Sequence, residues 1–192
     1  MRVISGKAKG RRIEGVPGTG TRPITDRAKC ALFDILGDIM RGSAFLDLFA
    51  GTGQVGIEAL SRGAEKAVFV EQAPGAVRVI QRNLDHTRLT SAGVIVRADV
   101  FKFLLRSPDP FDYVFIAPPQ SRGLWRDTLE SVDRHPDWVA EDGWVIVQID
   151  PREYEDVVLE NLSLFDRRTY GSVMLCFYAL RSGEPDGEPD DE

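Results

Sequence analysis

The chain has little cysteine: Cys30 and Cys176 are its two, far apart in otherwise unremarkable segments. That leaves nothing for a disulfide framework or a thiolate metal cluster, so no metal is expected and the reduced cytoplasm is the expected compartment. Long apolar runs are missing as well. No stretch approaches the roughly 20 residues that a membrane span needs, and the basic start, Met1 to Arg12, leads into no apolar segment of the kind a secretory leader carries. There is no internal repeat, and low complexity is confined to the last residues. The 192 residues, 43% of them hydrophobic, suffice for one well-packed core but not for two domains of ordinary size.

The net charge of −6 argues against a nucleic-acid partner until it is divided along the chain. Met1 to Arg41 holds nine basic residues (Arg2, Lys7, Lys9, Arg11, Arg12, Arg22, Arg27, Lys29, Arg41) against four acids, a balance of +5. The last residues, 182–192, hold six acids interleaved with Gly and Pro, which is the composition of a solvated, disordered tail. The segment between carries −5, so the charges separate into a basic arm and an acidic end. Three regions are expected: an arm and helix over 1–41, a ligand-binding domain over 42–181, and the tail.

Val3 to Gly6 and Arg11 to Gly15 bracket a Gly/Lys turn, which predicts a small β-hairpin with its charges outward. Thr25 and Asp26 offer an N-cap to a helix carrying Ala28, Leu32, Phe33, Ile35 and Leu36, closed by Gly37. From Ala44 onward apolar runs alternate with helical patterns. Ala44 to Phe49, Ala67 to Val70, Val94 to Val96, Tyr113 to Ile116 and Trp144 to Ile149 read as strands. Val55 to Leu60, Ala76 to Leu84, Val100 to Leu105 and Leu124 to Val132 read as helices. Near-continuous Val/Ile/Phe runs suit strands buried on both faces, and the alternation predicts a doubly wound α/β domain with a mostly parallel sheet. Ser163 to Thr169 and Val173 to Leu180, joined at Tyr170, Gly171 and Ser172, predict an antiparallel hairpin at its edge.

The run Leu46-Asp47-Leu48-Phe49-Ala50-Gly51-Thr52-Gly53 ends the first core strand and opens a helix, where glycines let backbone approach a ligand. Gly51, Gly53 and Gly56 also satisfy the dinucleotide pattern, a weak signal by itself. Asp47, four residues before Gly51, is expected to set a carboxylate at the mouth of that turn, which disfavours a pyrophosphate and favours a cationic ligand. S-adenosylmethionine carries an ammonium and a sulfonium and no phosphate. Glu71 closes the second strand, where its carboxylate can accept both ribose hydroxyls, and Asp99 closes the third, placed for an adenine amino group with Val100 facing the ring. Phe49 and Gln72 complete the expected cofactor-binding set. Each acid alone also serves as an ordinary helix cap. The fourth strand runs into Ala117-Pro118-Pro119-Gln120, whose prolines fix the backbone and leave carbonyls unclaimed.

Ile4-Ser5-Gly6 with Gly10-Arg11-Arg12, Arg22-Pro23-Ile24-Thr25-Asp26-Arg27, Leu32-Phe33, and Asp47 to Gly53 followed by Gly56, Glu58, Ala59, Leu60, Ser61, Arg62 and Gly63 together resemble the RsmD family of 16S ribosomal RNA guanine-N2 methyltransferases. The resemblance implies a class I methyltransferase sheet and S-adenosylmethionine as donor. It also implies a guanine amine of 16S rRNA or the small ribosomal subunit as acceptor, with a monomeric enzyme and an RNA-gripping arm formed by Arg2, Lys7, Lys9, Arg11, Arg12, Arg22 and Arg27. One departure stands out. The family's fourth-strand motif reads Asp or Asn, Pro-Pro, then an aromatic, whereas here Ala117 and Gln120 flank the prolines. The acceptor that steadies the amine and the ring that stacks on the extruded base are both absent. The carbonyls of Ala117 and Pro118 and the Gln120 amide are the candidate substitutes, with Trp125 a further one, although an aromatic at helical spacing is more often core. A catalytically degenerate RNA-binding module is the alternative, and a nicotinamide oxidoreductase, resting on glycine spacing alone, a weaker one.

Overall fold

The computed structural model describes residues 1–17, 24–120 and 123–181, so Arg22 and the acidic tail lie outside the described residues. Seven strands form one sheet in the order β3-β2-β1-β4-β5-β7-β6. Strands β1 (Ala44–Leu48), β2 (Lys66–Glu71), β3 (Gly93–Arg97), β4 (Phe111–Ile116) and β5 (Val139–Ile149) pair in parallel. Strands β6 (Leu162–Tyr170) and β7 (Val173–Leu180) form the antiparallel edge, with β7 inserted beside β5. Helix α1 (Asp26–Leu36) precedes the sheet, and α2 (Gln54–Arg62), α3 (Pro74–Thr87), α4 (Val100–Leu104) and α5 (Leu124–Arg134) form the crossovers. This is the expected doubly wound α/β architecture. None of the helices described is long and apolar enough to cross a membrane.

The apolar runs are continuous because both faces are covered. On one face Phe45, Phe69, Tyr113, Phe115, Ile146 and Phe177 pack with side chains of α1, α2 and α3. On the other, Leu46, Leu48, Val68, Val70, Val114 and Ile116 pack with Val100, Phe103, Trp125 and Leu129. Strand β1 neighbours β2 on one side and β4 on the other, so the chain reverses its direction of winding there and opens a crevice beyond the strands' carboxyl ends.

One expectation needs revision. Strand β5 begins at Val139, five residues before the expected Trp144, with Glu141-Asp142-Gly143 forming an irregularity within the strand. A Cβ on Gly143 would sit 2.8 Å from the Phe111 carbonyl oxygen, so the kink requires glycine. The arm pairs antiparallel at Arg2 and Arg12 with Arg2, Lys7, Lys9 and Arg12 exposed, as expected, while its apolar side chains fold into the core. Val3, Ala8 and Ile13 are buried in the same cluster as Ile57 and Leu60. Gly6, at φ 81°, lies so close to α2 that an added Cβ would come within 1.8 Å of the Ser61 carbonyl oxygen. Residues on both sides of position 41 thus share one core cluster.

Polar groups fasten this junction. Glu58 and Lys29 form an ion pair at 3.4 Å with both side chains fully buried. Glu58 also accepts from the N–H groups of Ile4 and Ser5 at 2.8 and 3.0 Å and from Arg62 Nε at 2.9 Å, while Lys29 Nζ donates to the Arg2 carbonyl at 2.7 Å. Ser61 Oγ accepts from Ala8 N–H and donates to the Ser5 carbonyl. These bonds satisfy backbone groups that the arm's short pairing leaves open.

Candidate active site

The chain leaves β1 through a turn of three left-handed residues: Phe49 at φ 63°, Gly51 at 56° and Gly53 at 75°. Phe49 has a Cβ, so its conformation is strained, and such residues concentrate at functional sites. Gly53 and Gly56 are accounted for by packing as well. A Cβ on Gly53 would touch Ile80 and Phe69 at 3.2–3.3 Å, and one on Gly56 would enter the Phe69 ring at 2.4 Å. The glycine spacing thus reflects close helix–strand packing and does not itself select a ligand.

Asp47 does not stand at the mouth of the turn. Its side chain is buried beneath it, with 2% of the residue exposed, and Oδ2 accepts from the Gly56 N–H in the first turn of α2 at 3.1 Å. Burial pushes its carboxyl up to about 7; the Gly56 hydrogen bond works against this, and the neighbouring Glu71 charge adds to it. Glu71 is half-buried and preorganised, Oε2 accepting from Gly51 N–H at 3.0 Å and Oε1 from Ala73 N–H at 2.8 Å. Each oxygen retains a lone pair for a further donor. Asp99 caps α4, accepting from Lys102 N–H at 3.1 Å, and Val100 is buried, while Gln72 is exposed beside Glu71.

Strand register brings the second half of the site alongside. Asp47 pairs with Phe115 and Leu48 with Ile116, so the glycine turn and Ala117-Pro118-Pro119-Gln120 emerge from neighbouring strands. Ala117 and Pro118 are half-buried, and Pro119 and Gln120 are exposed. Trp125 is not available to stack on a base. It is 2% exposed in the core of the opposite face, with its ring parallel to Tyr154 at 6.5 Å.

Three residues of interest have no place in the sequence reading of the site. Asn83, 1% exposed on α3, donates to the carbonyls of Thr52 and Glu14 and accepts from Glu14 N–H, tying the glycine turn to the arm. Gln54, which opens α2 immediately after the turn, and Gln148, near the end of β5, each carry a buried amide oxygen with no partner among the described residues. An unmet buried acceptor costs about 1–3 kcal/mol. Their dipeptide contexts hold no motif; register and packing alone expose them.

The basic residues do not converge on one spot. Lys7 and Lys9 are exposed on the turn anchored at Ser61, the end of α2 away from the glycine turn. Arg2, Arg12 and Arg27 are exposed nearer α1, with Arg2 3.8 Å from Asp26. Arg11 is half-buried and donates to the His86 carbonyl at 2.8 Å. Arg2 and Arg12 line a shallow concavity of about 570 Å³ with Met1, Gly10, Ile13 and Asp26.

A family model described as conserved hypothetical protein 95 matches residues 1–179. Ribosomal RNA small subunit methyltransferase D of Escherichia coli is 32% identical over 190 residues, covering 99% of this chain and 93% of that protein. YlbH of Bacillus subtilis, provisionally named an rRNA methyltransferase, is 34% identical over 184 residues, 94% of this chain and all of that one. Among solved structures, the E. coli yhhF protein, provisionally named a methyltransferase, superposes with a TM-score of 0.83 at 30% identity, covering 94% of this chain and 97% of that one. The chain belongs to the family so described, the RsmD family that its motifs resemble.

Proposed function

We propose that this protein transfers a methyl group from S-adenosylmethionine to the exocyclic N2 amine of a guanine in 16S ribosomal RNA. The observation that carries the reading is the register-fixed pairing of a carboxylate-backed glycine turn with the Ala117–Gln120 segment on the next strand. The residues suit the donor. Glu71 offers negative charge to a cation at the turn, and buried Asp47 adds to it when ionised; both repel a pyrophosphate, which also disfavours the nicotinamide reading. Two backbone bonds fix the Glu71 carboxylate, which supports a role in holding the ribose, and the unmet Gln54 oxygen beside the turn supports a ligand N–H or O–H there. When bound, the donor supplies a methyl already activated on a sulfonium: the amine nitrogen forms the new bond to carbon, the carbon–sulfur pair stays on sulfur, and one amine proton passes to water.

The chain's own part is positioning. Pro118 and Pro119 hold the backbone carbonyls rigid at the acceptor, and a placed amine gains much of its rate from orientation alone. Extruded base and phosphates together need a wide basic surface, which the dispersed arm residues provide. A tritiated-methyl assay on undermethylated small subunits, with nucleoside mass mapping, tests the reading: N2-methylguanosine is the expected product, and no incorporation despite cofactor binding refutes it. Ala117 and exposed Gln120 favour the degenerate-module alternative, and under it Ala117→Asp with Gln120→Tyr would switch on a methylation absent from the parent.

Lys7→Ala with Arg12→Ala should weaken RNA binding across sequences and make the slope of log affinity against log salt shallower by about 1.4, at about 0.7 per lost phosphate contact. Calorimetry with S-adenosylhomocysteine should show unchanged affinity, because neither side chain reaches the glycine turn.

A further inference from the structure

Continued one step past its last pair, the β4–β5 ladder sets Gln148 opposite Ala117. The observed register pairs Phe115 with Ile146 and Ile116 with Val147, and one further step brings Ala117 beside Gln148, on strands about 4.8 Å apart. The two share a face. Phe115 and Ile146 pack in the cluster on the α1–α3 side, Ile116 and Val147 in the opposite one, and alternation returns 117 and 148 to the first. Ala117 indeed packs there, as does Leu175, the β7 partner of Gln148. At this place, where Ala117 presents a methyl, the Gln148 side-chain oxygen is buried and has no hydrogen-bond partner among the described residues.

A buried acceptor left without a donor is uncommon in a folded chain and calls for a missing N–H or O–H. Among the described residues, the nearby side chains of Asp150 and Gln120 do not supply it. Asp150, two residues on, is engaged by Arg152 through both carboxylate oxygens, and Gln120 is exposed. We propose that Gln148 is the side-chain acceptor that holds the target amine, performing from β5 the task that Ala117 cannot perform from β4. The amide accepts one amine N–H and takes no proton. It aims the nitrogen's lone pair outward to the methyl carbon, and strengthens its hold as the amine gains positive charge in the transition state. Because the amide does not ionise, this hold is independent of pH.

The inference rests on the methyltransferase reading above, and the experiment separates the two. Single-turnover methyl transfer is measured on undermethylated small subunits, with homocysteine-product affinity and melting temperature measured on the same proteins. Gln148→Leu, of similar volume and without an acceptor, is expected to slow transfer about 100-fold while affinity for S-adenosylhomocysteine and melting temperature stay at or above parental values. Gln148→Glu, which keeps an acceptor oxygen in either protonation state, is expected to retain at least about a tenth of the parental rate. Transfer by Gln148→Leu within about threefold of the parent overturns this proposal alone. So does a loss matched by an equal loss of affinity or a lowered melting temperature, or a Gln148→Glu rate as low as that of Gln148→Leu. A parent that transfers no methyl overturns both readings.

Discussion

Glu58→Leu is expected to destabilise the protein by about 3–5 kcal/mol, because it strands the Lys29 ammonium where its side chain has no exposure. For a chain of this size that is a fall in melting temperature of about 6–20 °C. The N–H groups of Ile4 and Ser5 lose their acceptor at the same time, so amide exchange should rise first at these two positions and protease should cut first in the arm. Lys29→Met is expected to be milder, since the Glu58 carboxylate still meets Arg62 and both backbone donors. The double variant Lys29→Met/Glu58→Leu should be more stable than Glu58→Leu alone by at least about 1 kcal/mol, as no unpaired charge remains inside. Differential scanning calorimetry of the three variants decides it. A Glu58→Leu melting temperature within 2 °C of the parent would show that the buried pair does not hold the arm.

That junction marks the limit of what was legible from the chain alone. The sheet was legible because burial on both faces forces uninterrupted Val/Ile/Phe runs, and the crevice because glycines cluster at one strand end. Glu58 was visible as part of a motif but not as a buried hub, because its partners Lys29, Ile4 and Ser5 are brought to it from 29 to 54 positions away by tertiary folding alone. The same holds for Asn83, whose amide joins Thr52 to Glu14. A polar residue on an amphipathic helix reads as solvent-facing; these are inward because backbone donors and acceptors of the arm meet them there. Trp125, near the acceptor segment in sequence, sits in the core of the opposite face, in keeping with its helical spacing.

The arm and the site are consequently one mechanical body. Asn83 holds the carbonyl of Thr52, within the glycine turn, and both backbone polar groups of Glu14, while Glu14 itself pairs with Arg82 at 2.9 Å. On the proposed reading, RNA held by the arm would thereby be referenced to the turn proposed to hold the donor, the alignment that in-line transfer demands. Loosening the arm at Glu58 should then raise the KM for RNA and lower transfer, even under conditions where the variant remains folded.

Asp47→Asn is expected to stabilise the free protein at alkaline pH while crippling cofactor binding. In the folded chain the Asp47 carboxyl is raised from 3.8 to about 7, chiefly by burial. Because the folded state holds this proton more tightly than the unfolded one, the benefit is fully present below about pH 4. It is lost as pH rises toward 7, at up to about 1.4 kcal/mol per pH unit, and nothing further is lost above that. Asparagine keeps an oxygen for the Gly56 N–H and has no charge to bury, so the variant should melt near the parent at pH 4 and above it at pH 8. Binding should run the other way. A cationic ligand over the turn favours ionised Asp47; each pH unit by which it draws that group down corresponds to about tenfold tighter binding than asparagine allows. Parental affinity for S-adenosylmethionine should therefore rise between pH 6 and 8, with proton release detectable by calorimetry in buffers of different ionisation enthalpy. Asp47→Asn should bind at least about tenfold more weakly at pH 8 and show neither trend. A variant that binds the donor as the parent does, or that melts below it equally at both pH values, would mean that Asp47 serves only to brace the first turn of α2.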